Sequence, residues 1–277
     1  MHKFNLPYPE AIFELQYYRK NPLAFITLAK DLWPTGQRYK PTISHSFMKL
    51  LDSKGILLRV YTQNIDGLEL LAGVPPERLV KCHGHFSSAS CIDCGESYDI
   101  EKCRMEMLNE PPIVPTCLKC GVQGTANGRV KPDIVFFGEE LPQRFSSFVD
   151  IDTGKCDLLL ILGTSLQVYP VASIPQLVDC PVVLFNREDL NSGKSFWNGI
   201  KNVDIFEKGD CDARLVNLYF YVVRITHLFL LHVYVENTFL NALHYFISIK
   251  TLCSKIGLLD ELENIHNTTL RQLGGDS

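Results

Sequence analysis

The stretch "DLLLILGTS", residues 157–165, runs five apolar residues together and then closes on Gly163, Thr164 and Ser165. "ILLRVYT" (56–62), which leads into "QNID", and "PVVLFNRED" (181–189) repeat the pattern. Each reads as a short strand, apolar on both faces, whose carboxyl end delivers polar residues. In chain order, residues 56–62 deliver Gln63, Asn64 and Asp66, residues 157–162 deliver Gly163, Thr164 and Ser165, and residues 181–185 deliver Asn186 and Glu188. Such strands set between helical stretches predict an α/β fold with a parallel sheet covered on both faces. Ligands of these sheets bind beyond the carboxyl ends of the strands, so three polar-tipped strands predict one crevice. Any one of these ends alone would read equally well as a helix cap.

Working outward, residues up to Gly55 read as helical. "YPEAIFELQYYRKN" opens on Pro9 and Glu10, which suit a first helical turn, although its apolar residues form no clean stripe. "PLAFITLAKDL" and "PTISHSFMKLLDSKG" follow, with Gly55 as a carboxyl cap. The whole chain has 277 residues, 46% apolar and 21% charged, enough for a large core. A formal net charge of −4 argues against direct nucleic-acid binding. The start, "MHKFNLPYPEAIFEL", has prolines and glutamates where a signal peptide needs an apolar run, and it is neither Arg-rich nor Ser-rich like a transit peptide. An intracellular, reducing compartment is therefore expected, and there paired cysteines point to metal.

Ten cysteines are present, and four of them pair by spacing. Cys91 and Cys94 form one CxxC, Cys117 and Cys120 a second, with 22 residues between them. Each knuckle offers two thiolates about a turn apart, and two knuckles close a tetrahedron around zinc. Gly95 and Gly121 follow directly, where a knuckle turns sharply. A thioredoxin-like redox site would need only one CxxC, opening a helix. Four thiolates leave no open position, so this zinc is expected to be structural. Cys82, Cys103, Cys156, Cys180, Cys211 and Cys253 show no pairing and read mostly as small buried apolar residues. His83 follows the strand-like "RLVKC" and is surplus to the metal. A lone histidine there reads as an exposed or core residue as readily as a functional one; its place at a strand end favours the crevice.

One segment breaks the pattern. Residues 219–252 are aromatic, β-branched and nearly uncharged, with Arg224, His227 and His232 inside the best membrane-span window. A tether through 219–235 and a buried helical pair are the lesser readings, and the sequence is read against a membrane span. When 219–252 is removed, "GDCDARLVNL" joins "CSKIGLLDELENI" as one amphipathic helix, so the segment reads as an insert, of intron origin.

In order and spacing, "YTQNIDGLE", "CHG", the two CxxC pairs, "KPDIVFFGEELP", "LLILGTSLQV" and "FNRED" resemble the sirtuins, NAD-dependent protein deacylases. The resemblance covers about residues 5–218 and resumes at 253. "LPYPEAIFEL" and "KPTISHSFMKLL" are most similar to the branch that holds the cytoplasmic tubulin deacetylase and the main mitochondrial deacetylase. It implies a Rossmann-like NAD-binding domain, residues 1–85 and 132–277, with a zinc-binding module, 86–131, inserted. It implies His83 as general base, with Gln63, Asn64 and Asp66 lining the nicotinamide-ribose pocket. Gly163, Thr164 and Ser165 would cradle NAD, Asn186 and Glu188 hold the adenine ribose, and Cys211 in "GDCD" touch the adenine end. Val135, Phe136, Phe137, Gly138 and Glu139 would form a strand beside the substrate peptide, faced by Gln167 and Val168, an addition of one strand to an open edge.

The implied reaction is NAD-dependent lysine deacetylation, with acetyl passed to ADP-ribose and nicotinamide released. The implied partners are acetylated proteins, histone or non-histone, in the cytoplasm, nucleus or mitochondrion. The family's glycine-rich GAGxS loop and GxPDFR stretch, carried on its first, central strand, have no counterpart here, and Met1 falls downstream of both. The alternative expectation is thus a catalytically impaired, zinc-bearing peptide-binding module.

Overall fold

The computed structural model describes residues 6–34, 39–120, 128–188, 203–215, 267, 268 and 271. The segment 219–252, its junction at Leu218 and Cys253, and Gly121 lie outside the described residues. The helices are α1 (Leu15–Lys20), α2 (Pro22–Leu32), α3 (Ile43–Ser53), α4 (Leu68–Leu71), α5 (Ile100–Leu108), α6 (Gln143–Thr153) and α7 (Ile174–Leu177). The strands are β1 (Val60–Thr62), β2 (Leu79–Lys81), β3 (Gly84–Cys91), β4 (Ser97–Tyr98), β5 (Val130–Ile134), β6 (Leu159–Leu162), β7 (Val182–Asn186) and β8 (Ile205–Lys208). The chain divides into two compact units, one of residues 1–39, 61–67 and 80–146, the other of 40–60, 68–79 and 147–277.

The second unit holds a parallel sheet in the order β6-β7-β8. Central β7 explains its own composition. Val183 and Phe185 point into one cluster with Phe47, Leu50 and Leu51 of α3, whereas Val182 and Leu184 point into another with Leu166, Ala172 and Val178. A strand covered on both faces has no position for an alternating polar residue, hence the unbroken apolar run. Of the run at 56–62, expected in the same sheet, only Val60–Thr62 is a strand, β1, and it pairs with β2 instead. Asn186 ends β7, whereas Gly163, Thr164, Ser165 and Glu188 stand beyond the strands. Elsewhere in this unit, Arg59 pairs with the buried carboxylate of Asp152 at 2.6 Å, donates to the Glu77 carbonyl, and lies 3.9 Å over the Phe148 ring. Asp212 accepts from the backbone N–H and the hydroxyl of Ser44 and from the hydroxyl of Thr42, fastening the segment after Cys211 to the start of α3.

The first unit is built on the antiparallel sheet β4-β3-β5, which the sequence reading did not foresee. Its core gathers Phe13, Tyr18, Phe25 and Phe136, whose rings meet edge to face, Phe25 and Phe136 at 4.9 Å between centroids. The helix expected over residues 8–21 is interrupted. Pro9–Phe13 is a 3-10 turn, Glu14 is extended, and only then does α1 begin. The cause is non-local: the Phe137 N–H donates to the Phe13 carbonyl at 2.8 Å and Leu15 N–H to the Phe137 carbonyl at 3.1 Å. Pairing with a distant segment overrides the local helical preference.

Gly84 opens β3 where the backbone of Asp133 approaches closely. Its φ is +77°, and a Cβ there would sit 1.9 Å from the Asp133 carbonyl oxygen. Neither the conformation nor the space admits a side chain. Gly84→Ala is expected to destabilise this unit by about 3 kcal/mol or more. Urea unfolding followed by tryptophan fluorescence tests this, and a change below about 0.5 kcal/mol would show that β3 and β5 separate freely.

Candidate functional site

The first unit brings three of the sequence-predicted groups together. Thr62 of β1 accepts at its carbonyl the Cys82 N–H, 2.9 Å away, which seats the end of β2 beside the loop carrying Gln63, Asn64 and Asp66. That loop is turned by the Thr62 hydroxyl, which accepts from Asn64 N–H at 3.1 Å. His83 follows, half-buried, with Nδ1 at 3.0 Å from the Gln63 carbonyl oxygen. A carbonyl can only accept, so Nδ1 carries the proton and Nε2 keeps its lone pair. Burial pushes the imidazole pKa below the ordinary histidine value, with the Gln63 carbonyl partly opposing that shift. Near neutral pH the ring is therefore a neutral base of defined tautomer.

The His83 main chain is held as firmly as its ring, because its carbonyl accepts from Val135 N–H at 2.9 Å. Val135 to Glu139, expected as a strand, is not one: β5 ends at Ile134 and Gly138 turns the chain at φ +95°. The Phe137 N–H and carbonyl are taken up instead by residues 13 and 15, and the Phe136 N–H by an internal clasp. Glu139 folds back to accept the Phe136 N–H at 2.7 Å and meets the buried Lys131 Nζ at 2.9 Å. Lys131 also donates to the Ile134 carbonyl at 2.6 Å and lies 4.7 Å over the Phe136 ring. This pair was not legible in the sequence, where Lys131 reads as an ordinary surface lysine. Lys131→Met leaves the Glu139 carboxylate without its cation and is expected to cost about 2–3 kcal/mol, loosening 135–139. Thermal unfolding checks the cost, and a neutral substitution would remove the clasp from this account.

In the second unit the residues beyond the parallel strands collect at one end of the sheet. The Gly163 N–H donates to the Phe185 carbonyl at 2.9 Å, and Cys211 Sγ lies 3.4 Å from the same oxygen. Gly163 has φ +58°, and a Cβ there would lie 3.4 Å from Cys211 Sγ. Asn186 Nδ2 bridges the Thr164 and Glu188 carbonyls at 3.4 and 3.2 Å. The Thr164 hydroxyl accepts from Leu166 N–H at 3.1 Å, and Leu166 takes a left-handed φ of +50°. Such a conformation is costly for a branched residue and is held here by burial of its side chain. Gly163, Ser165 and Gln167 are thereby left exposed, Thr164 and Val168 half-exposed; Gln167 and Val168 stand in this loop rather than on a strand. Exposed backbone and hydroxyls at strand carboxyl ends, with Glu188 exposed beside them and its carboxylate a natural acceptor for sugar hydroxyls, fit a nucleotide.

The four paired cysteines converge. Their sulfurs all lie within 4.8 Å of one another, with Cys91 to Cys120 at 3.4 Å and Cys94 to Cys117 at 3.8 Å. A tetrahedron with metal–sulfur bonds of about 2.3 Å has edges of about 3.8 Å, so the set fits one zinc ion. Backbone N–H groups of Cys120 and Lys119 push the Cys117 thiol down to about 7, whereas neighbouring sulfurs push Cys120 up. Thiolates crowded this closely need a cation among them. Local turns build the first knuckle: Gly95, at φ +70°, returns its N–H to the Cys91 carbonyl at 3.0 Å, and the Asp93 N–H reaches Cys91 Sγ at 3.4 Å. Arg19 of α1 pairs with Asp93 and donates to the Ile92 carbonyl at 3.2 Å, and Asp93 also accepts from Gly128 N–H. This brace, too, has no sequence signature.

Among the described residues no helix is long and apolar enough to cross a membrane. Residues 1–170 match the family model described as Sir2 family. The chain is 38% identical over 275 residues to the NAD-dependent protein deacetylase hst2 of Schizosaccharomyces pombe, covering 99% of this chain and 68% of that protein. It is 42% identical over 221 residues to the NAD-dependent deacetylase sir2A of Dictyostelium discoideum, covering 78% of this chain and 42% of that one. It is also 46% identical over 192 residues to the NAD-dependent protein deacetylase sirtuin-2 of Danio rerio, covering 68% and 48%. The chain thus spans two thirds of the first of these relatives and less than half of the other two. With the nucleotide-type strand ends, the oriented histidine and the thiolate tetrad in place, the chain belongs to the Sir2 family.

Proposed function

We propose that the chain is an NAD-dependent protein-lysine deacetylase that passes the acetyl group to ADP-ribose. The observation that carries this reading is the His83 ring, whose Nδ1–H is bound by the Gln63 carbonyl so that Nε2 is the basic atom. The names of its relatives and its family membership point the same way. When bound, NAD supplies a ribose whose nicotinamide departs and whose hydroxyls receive the acetyl group. His83 Nε2 takes the proton from such a hydroxyl, and its lowered pKa keeps the base free at neutral pH. Gln63, Asn64 and Asp66 bind the nicotinamide ribose. Gly163, Thr164 and Ser165 hold the phosphate-bearing part, Asn186 and Glu188 the adenine ribose, and Cys211 the adenine end.

Val135, Phe136, Phe137, Gly138 and Glu139, with Gln167 and Val168, bind the acetylated peptide through its main chain, which gives affinity with little sequence preference. Zinc held by Cys91, Cys94, Cys117 and Cys120 is structural and belongs to a module, residues 86–131, inserted in the nucleotide domain. Substrates are acetylated proteins, histone or non-histone, inside the cell; a thiolate tetrad favours a reducing compartment.

Zinc-loaded full chain, NAD and an acetyl-lysine peptide provide the test. Loss of the acetyl group only when NAD is present supports the proposal; an unchanged peptide under conditions where both ligands bind refutes it. The pH profile carries a second expectation. Protonating His83 removes the base, and its pKa is lowered from 6.5, so kcat/KM is expected to hold through neutrality and fall only below pH 6.5. An acid limb centred above pH 7 would assign the titration to another group.

A further inference from the structure

Cys82 and Cys103, outside the tetrad, are fully buried, and burial pushes both thiols up to about 12, which keeps them inert. Cys156 and Cys180 differ. Nothing in their spacing pairs them, yet their sulfurs lie 3.1 Å apart. Cys156 stands three residues before β6 and Cys180 two before β7, and the register Leu159 to Val182 brings the two approaches side by side. Both are half-buried against the cluster of Ile161, Val178 and Val182, so small oxidants reach them. A disulfide bond of about 2.05 Å needs only about 1 Å of further approach. Burial and the neighbouring Cys156 thiol push the Cys180 thiol up to about 12, and either sulfur of the pair can be the one that opens an oxidant.

We propose that Cys156 and Cys180 form a redox-active dithiol that a low-molecular-weight disulfide, such as oxidised glutathione, converts reversibly to an intramolecular disulfide. The thiolate of one cysteine attacks one sulfur of the reagent, whose S–S bond breaks; one glutathione thiolate leaves and takes up the proton that cysteine gave up. The other cysteine then loses its proton to solvent and attacks the sulfur of the first, expelling the second glutathione, which takes up a proton. Two electrons pass from the cysteine pair to the reagent, and two thiols are formed. The ring so closed contains β6, Gly163 to Val168 and α7, joining the two strand entries at the end of the sheet opposite the nucleotide-type loop. The proposal stands on the sulfur geometry and is independent of the deacetylase reading.

The test is thiol mapping of zinc-loaded full chain treated with oxidised glutathione, by differential alkylation and peptide mass spectrometry. The peptides bearing residues 156 and 180 are expected crosslinked and two hydrogens lighter, at least about tenfold sooner than zinc is released, and dithiothreitol reverses the change. Cys180→Ser and Cys156→Ser are each expected to trap glutathione on the cysteine that remains, with no crosslink. The proposal is overturned if both residues stay alkylatable, carry separate glutathiones, or crosslink only after zinc has left. Zinc content of each variant reports its folding, and if either fails to fold, the wild-type map decides alone.

Discussion

Replacing His83 with alanine lowers kcat/KM for deacetylation at least about 100-fold, roughly 2.7 kcal/mol of transition-state stabilisation, while leaving the fold in place. The asymmetry follows from the contacts. Among the described residues the ring makes one hydrogen bond, to the Gln63 carbonyl, and is only half-buried, whereas the residue's place is fixed by its own carbonyl, which accepts from Val135 N–H. Alanine keeps that main-chain bond and loses only the base. Peptide affinity should therefore change by less than about threefold and stability by less than about 1 kcal/mol. Steady-state kinetics beside peptide binding and urea unfolding checks all three. A variant that keeps a tenth of the activity would remove His83 from the base role.

Loss of the metal has the larger structural effect. Cys91 ends β3, and Cys117 draws its N–H to the Gly128 carbonyl next to β5, so the tetrad ties the two principal strands of its unit through residues 91–120. Cys91, Cys117 and Cys120 also pack on the aromatic core. Without a cation the crowded thiolates must protonate or separate. Cys117→Ser is expected to abolish binding of one zinc per chain and to cost about 4 kcal/mol or more, lowering the melting temperature by roughly 10 °C. Activity should fall with it, because β3 begins immediately after His83. Metal analysis and thermal unfolding test this; full stability in a zinc-free variant would make the tetrad dispensable.

The parallel sheet was legible in the sequence because burial on both faces leaves an unbroken apolar run, which β6 and β7 show. The tetrad was legible because a metal fixes ligand type and spacing locally. What escaped depends on contacts between distant segments. Glu14 is extended rather than helical because its neighbours bond to Phe137, 123 positions away. "GHFSSASC" carries too weak an alternation to announce β3, and its partner β5 lies beyond the second knuckle. The Cys156–Cys180 pair, which the spacing had left unpaired, arises only when the β6/β7 register sets the two residues side by side, and the Lys131–Glu139 clasp and the Arg19 brace only when the chain folds back on itself. Of the candidate site, the residue types were readable; the hydrogen bond that makes Nε2 of His83 the basic atom was not.

The most direct test of the central claim is the fate of the acetyl group. Mass spectrometry of the products formed from NAD and an acetyl-lysine peptide should show one O-acetyl-ADP-ribose and one nicotinamide for each acetyl lost. Free acetate appearing while NAD is not consumed would contradict it.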